Sequence, residues 1–303
     1  MIVLRRKGLA PVLLLTLLAG CTATEPAASR SAPATPPPAT TAGAAPTEQY
    51  QVKTRELGLN RDGNRPLPVT IWYPDTSTGR FPVIVFSHGL TGLPTDYRRL
   101  LADWAEAGFV VAAPTYPNTN KKAAQVNALD VVNQPADASY VLTQVLALDA
   151  KAGDKLNGRL DTENVAAAGH SAGGITTVGM FTVYRDQRLD AGIVLAGSAL
   201  GMGTAFRGPD APLLFVHGDA DAVVSYASGK AAYDKVPWPK AMLTMVDGDH
   251  GRTLLRAGNP AYEVLAGATT NFWRWTLYGD PAAKTRLAQD AEQGGLATLD
   301  DNL

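Results

Sequence analysis

A single cysteine, Cys21, stands in 303 residues. No disulfide can close within the chain, and a zinc site built on cysteines is excluded with it. Histidine is nearly as scarce, at four residues, so any chemistry that needs an imidazole has four candidates. Charge of one sign is lacking too: 27 Lys and Arg stand against 28 Asp and Glu, for a formal net charge of -1. A polyanion binder needs a basic surface, and no basic run occurs beyond the extreme N-terminus, so no nucleic-acid partner is expected. The apolar run at 9–18 is about half of the ~20 residues that a membrane span needs. What is present is core-forming material, 46% hydrophobic against 18% charged residues, which argues for a folded domain of some size.

The N-terminus reads as a leader. Arg5, Arg6 and Lys7 precede the short apolar run, and Leu18-Ala19-Gly20-Cys21 closes it. The closing tetrapeptide resembles a bacterial lipobox. That resemblance implies a signal peptide over 1–20, diacylglycerol on the Cys21 thiol, export, and anchoring to the outer face of a membrane. Residues 21–48 are Ala-, Pro- and Thr-rich, a composition that cannot bury enough apolar surface to fold, and they read as a disordered tether. One folded domain is expected over 49–303.

Within it, 51–59 and 67–73 read as two strands around the turn Asp62-Gly63-Asn64. Strand and helix patterns then alternate. Strands are expected at 82–86, 109–113, 164–169, 191–196 and 213–217, with a last one at 241–246. Helices are expected at 96–107, 136–148, 173–184 and 225–235, and a closing helical region at 260–278 has Gly267 as its weak point. Such alternation predicts a mostly parallel twisted sheet with helices on both faces, and an antiparallel hairpin at its start.

The chemical signal is Gly169-His170-Ser171-Ala172-Gly173 between an apolar strand and a helix. A serine on so sharp a turn needs small neighbours, and the turn exposes its hydroxyl while aiming the next N–H at an oxyanion. In that context the pentapeptide resembles the nucleophile elbow of α/β-hydrolases, in which the chain order is Ser, acid, His. His88 and His217 end strands and His170 adjoins the serine; only His250 follows the candidate acids. Asp219 and Asp221, just past the 213–217 strand, are those candidates. The loop Ser87-His88-Gly89-Leu90-Thr91-Gly92 is placed to offer the Leu90 N–H as an oxyanion donor beside that of Ala172.

The motifs F-P-V-I-V-F-S-H-G, G-H-S-A-G-G, H-G-D-A-D and D-G-D-H together resemble one branch of that superfamily. It is the dienelactone-hydrolase-like group with platelet-activating-factor acetylhydrolases, chlorophyllases and cutinase-like polyester hydrolases. Within it, G-x-x-D followed by an apolar pair selects Asp221 over Asp219. The resemblance covers most of residues 67–280. It implies a carboxylic ester hydrolase with the triad Ser171, Asp221 and His250, with no metal or other cofactor, acting as a monomer on a small-molecule or lipid ester. Four positions depart from relatives. Dienelactone hydrolases carry Cys where Ser171 stands. The polyester hydrolases carry Met at Ala172, an aromatic residue at Leu90, and a Trp after the 191–196 strand. Only about 15 residues follow that strand before the next, so no large lid is expected, and an open site suits short or medium acyl chains. Trp238 and Trp273 are read as core. The alternatives are a polyester hydrolase, a cell-envelope lipid esterase, acyltransferase or peptidase, and a surface lipoprotein that only binds.

Overall fold

The computed structural model describes residues 44–251 and 255–303; the leader, Cys21 and the tether as far as residue 43 lie outside the described residues. Among the described residues, nine strands form one sheet in the order β1-β2-β4-β3-β5-β6-β7-β8-β9. The opening hairpin is β1 (Val52–Arg61) and β2 (Arg65–Pro74), antiparallel to each other, with β2 also antiparallel to β4 (Val110–Pro114). From β4 the pairing is parallel through β3 (Phe81–Ser87), β5 (Leu160–His170), β6 (Leu189–Leu195), β7 (Leu213–Gly218) and β8 (Lys240–Met245). All seven residues of β3 are buried, as a strand covered on both faces requires.

Strand alternation splits the core in two. Ile84, Phe86, Ala166 and Ala168 face a layer made by α1 (Arg98–Glu106), α5 (Pro260–Tyr278) and α6 (Pro281–Ala291). Val83, Val85, Val165 and Ala167 face α2 (Gln134–Leu146), α3 (Ala172–Phe181) and α4 (Tyr226–Asp234). In α1 the buried side chains Leu100, Leu101, Trp104 and Ala105 share one face. Trp104 meets Trp273 of α5 edge to face at 5.7 Å and donates its indole N–H to Thr269. Trp273 is fully buried and Trp238 nearly so, and both are core. Ala45 packs against the core and Pro46 lies over Gly108. This is the α/β-hydrolase arrangement, with helices on both faces of a mostly parallel sheet.

Two expectations about the C-terminal third are corrected. The helix over Pro260–Tyr278 is unbroken at Gly267: a Cβ there would stand 2.7 Å from the Asp290 carboxylate, so this glycine serves the close approach of α5 and α6. Nor is β8 the last strand, because β9 (Ala297–Asn302) pairs antiparallel with it along its whole length. β9 carries Asp300 and Asp301, poor strand formers that blunt a sheet edge, and tertiary pairing overrides their propensity.

Candidate functional site

The site lies at the C-terminal tips of the parallel strands. β5 and β3 pair in register there, Ser87 opposite Gly169, so the loop after β3 sits against the turn after β5. Ser171 occupies that turn with φ 57° and ψ -120°, a left-handed conformation that costs a non-glycine residue about 1–3 kcal/mol. Its N–H is held by the Leu195 carbonyl at 2.9 Å. The flanking glycines are compulsory. A Cβ on Gly169 would lie 2.2 Å from the Gly173 carbonyl oxygen, and one on Gly173 would lie 1.9 Å from that of Ser87. Gly173→Ala is therefore expected to cost at least about 3 kcal/mol, since only backbone could yield. Thermal unfolding checks it: a Tm fall of roughly 6–12 °C is expected. Gly58→Ala, which meets nothing within 4 Å, should leave Tm nearly unchanged.

His250 lies in the loop after β8 and reaches both neighbours. Its Nδ1 is 2.7 Å from Asp221 Oδ2, and its Nε2 is 2.8 Å from Ser171 Oγ. Asp221 follows β7, and its side chain is fully buried. Burial pushes its carboxyl up, but hydrogen bonds from His250 and from the Val223 and Val224 N–H groups outweigh this and hold it below the usual carboxylate range. An ionised Asp221 fixes the tautomer: His250 Nδ1–H donates to the carboxylate, and the bare Nε2 accepts the Ser171 hydroxyl. Asp219 is exposed and belongs to the turn, its N–H bonded to the Met245 carbonyl. The two turns lock together through glycine, for a Cβ on Gly218 would fall 2.1 Å from the Gly248 oxygen.

The two backbone donors expected from sequence, Leu90 and Ala172, follow Gly89 and Ser171 in the chain. Gly89 rests on Ser171, with the Cβ position 3.2 Å from the serine Cβ. The Gly89 carbonyl accepts from His88 Nδ1–H at 2.8 Å and from the Gly92 N–H at 2.9 Å. A trans peptide points its C=O and N–H in opposite directions, so the Leu90 N–H is turned away from both. The tautomer of His88 follows from its partners: Nε2 accepts the Tyr116 N–H, so Nδ1 carries the proton. Thr91 N–H is tied to the Thr119 carbonyl, so the polar 115–134 stretch braces this loop.

Sequence order assigned no task to three of the four histidines, yet all four border the site. Besides His88, His217 donates Nε2–H to the Val224 carbonyl at 2.8 Å, with Asp221 Oδ2 at 3.3 Å from the same nitrogen. His170 spans the Tyr97 hydroxyl and the His250 carbonyl. Burial lowers all three below the usual histidine value. Tyr97 was not singled out from sequence either; an aromatic residue at the start of a helix carries no signal of its own.

Beside the imidazole, a cleft of about 560 Å³ is lined by Tyr97, His170, Ala222, Val223, His250 and Leu255 among others. A second, of about 620 Å³, lies across Val223 and is lined by Ile175, Ser198, Leu200 and Val224 among others. Leu200 and Val223, which line these clefts, are exposed, as is Leu90 in the 87–92 loop. Among the described residues there is no group of His, Cys, Asp and Glu able to hold a metal ion, and no helix long and apolar enough to cross a membrane.

Parts of the sequence match known proteins. Over 191 residues the chain is 27% identical to the platelet-activating factor acetylhydrolase of the dog, Canis lupus familiaris. That alignment takes in 49% of this chain and 42% of the relative, so the chain spans less than half the length of the curated relative it matches. The chlorophyllase family model matches residues 38–198, from before β1 to just past β6. The matched part holds the 87–92 loop and the serine turn, and ends before Asp221 and His250. Because that match takes in just over half of the 303 residues, the chain belongs to the chlorophyllase family.

Proposed function

We propose that the protein hydrolyses carboxylic esters of short to medium acyl chains through a covalent acyl-enzyme on Ser171. The observation that carries this is the unbroken hydrogen-bonded line from Ser171 Oγ through His250 to a buried Asp221. A serine hydroxyl is a weak nucleophile until a base takes its proton. His250 Nε2 accepts that proton as Oγ attacks the ester carbonyl, and the carbonyl oxygen becomes an oxyanion facing the Leu90 and Ala172 N–H groups. Asp221 remains ionised and stabilises the imidazolium. Collapse of the tetrahedral intermediate breaks the bond to the alcohol, which leaves with the proton from His250. Water then attacks the acyl-enzyme with His250 again as base, releasing the acid and restoring Ser171. No cofactor takes part in these steps.

The short-acyl preference rests on cleft size and on the exposed lining residues Leu200 and Val223, with no lid expected from sequence. The dog relative is by name an acetylhydrolase, which agrees with a small acyl group. Export and anchoring through lipidated Cys21 belong to the same proposal, on the strength of the Leu18-Ala19-Gly20-Cys21 run. The test is a series of p-nitrophenyl esters from acetate to palmitate, read beside labelling by a fluorophosphonate probe. Turnover that peaks at the short chains, with one probe per chain, is expected. Labelling without a short-chain peak would leave the serine hydrolase standing and sink the acyl preference; neither labelling nor turnover would sink both.

A further inference from the structure

His170 and Tyr97 have no part in the proton transfers above, yet together they join three loops of the site. His170 Nε2 lies 2.6 Å from the backbone carbonyl of His250. A carbonyl can only accept, so Nε2 carries the proton. The ring is neutral, its pKa pushed down to about 4 by burial, and Nδ1 is therefore bare. Nδ1 lies 2.9 Å from the Tyr97 hydroxyl, which must donate to it, and the same hydroxyl accepts the Gly89 N–H at 3.0 Å. Every proton in the line has one direction: Gly89 N–H to Tyr97 Oη, Tyr97 O–H to His170 Nδ1, His170 Nε2–H to the His250 carbonyl.

One end of this line is the residue before Leu90, and the other is the backbone of the general base. The line is seated firmly. The Tyr97 ring packs on Phe86 at 4.8 Å, and the imidazoles of His170 and His250 lie 5.0 Å apart. Gly251, at φ 105°, lets the histidine loop close over His170, since a Cβ there would stand 2.7 Å from Nε2.

We propose that Tyr97 and His170 form a strut that fixes the separation of the oxyanion-donor loop and the His250 loop, and so act as positioning residues for the reaction. This rests on the hydrolase reading above. In that reading the His250 ring must meet Ser171 Oγ, the leaving oxygen and the attacking water in turn. It can do so only if its backbone pivot stays fixed relative to the donors that hold the oxyanion. The strut therefore acts on kcat and leaves KM nearly unchanged.

The test uses the full chain. Asn at position 170 can reach towards Tyr97 but not to the His250 carbonyl, whereas the amide nitrogen of Gln can stand near the site of Nε2. In His170→Asn, kcat on p-nitrophenyl acetate is expected to fall about 10- to 100-fold with KM within about twofold, the scale of a displacement of ~1 Å. His170→Gln should recover most of this. Tyr97→Phe, which keeps the ring packing, should lose kcat without the double variant Tyr97→Phe/His170→Asn losing more than the worse single one, because a strut is broken only once. In the wild type, ¹H–¹⁵N spectra of the histidine side chains should show His170 protonated at Nε2, the signal being assigned by its loss in His170→Asn. A proton on Nδ1, unchanged kcat in the variants, or losses that multiply in the double variant would each overturn the strut alone. A wild type that turns over no ester would overturn the hydrolase reading and the strut's purpose together.

Discussion

Ser171→Ala and His250→Ala are each expected to lower kcat by on the order of 10⁶-fold on any ester the wild type cleaves, and the double variant should be no slower than either. The reason is that nucleophile and base act as one unit. Without Oγ there is no acyl-enzyme for His250 to serve. Without the imidazole the hydroxyl keeps its proton, 2.8 Å from a partner that is no longer there. On the proposed mechanism the activity that survives comes from the N–H groups of Leu90 and Ala172 and from binding, and it should still exceed the rate in water. Steady-state rates normalised to folded protein measure this. If His250→Ala kept a rate within tenfold of wild type, another base would be serving Ser171, and His170, in ring contact with His250, would be the one to examine.

The second large effect separates two aspartates that stand two residues apart. Asp221→Asn is expected to cost about 10⁴-fold in kcat, and Asp219→Asn less than about twofold. The amide oxygen of an asparagine at 221 would keep the Val223 and Val224 N–H groups that Asp221 Oδ1 holds now. Its NH₂ would then face His250 Nδ1 and force that nitrogen to accept. The ring proton would move to Nε2, where it blocks uptake of the serine proton. Geometry survives and the tautomer is wrong, so KM should change little and the folded state should persist. Comparable losses in the two variants would remove Asp221 from the role proposed for it.

Much of this was legible in the order of residues. The buried strands β3 and β7 and the Val165–Ala168 part of β5 announce themselves as apolar runs, and glycines around Ser171 announce a turn that larger residues could not make. What was hidden has physical reasons. β9 is a polar edge strand stabilised by β8 rather than by its own composition. Gly267 reads as a helix weakness in one dimension and as a point of helix contact in three. Asp219 and Asp221 differ in burial, which the resemblance of the H-G-D-A-D motif could indicate and the residues alone could not. The props His88, His170 and His217 escaped for a different reason. His88 and His170 act through the backbone of another loop, at Tyr116 and His250, and such contacts between strand tips have no signature in any one segment. His217 bonds the Val224 carbonyl in the loop after its own strand, a tie that only the fold of that loop reveals.

The strand order has a consequence for how such a site can change. Ser171 leaves from β5 and Asp221 from β7, with β6 alone between them. Two interstrand steps are about 9.5 Å, a gap that one imidazole with a hydrogen bond at each end can close once both turns lean inward. The pitch of the sheet thus acts as a gauge for the triad, independent of loop length. Segments after β4 and β6 can lengthen and reshape the clefts without disturbing it. A strand gained between β5 and β7 would move the acid about 5 Å out of a single ring's reach, so new specificity has to come from the rims while the sheet's centre stays as it is.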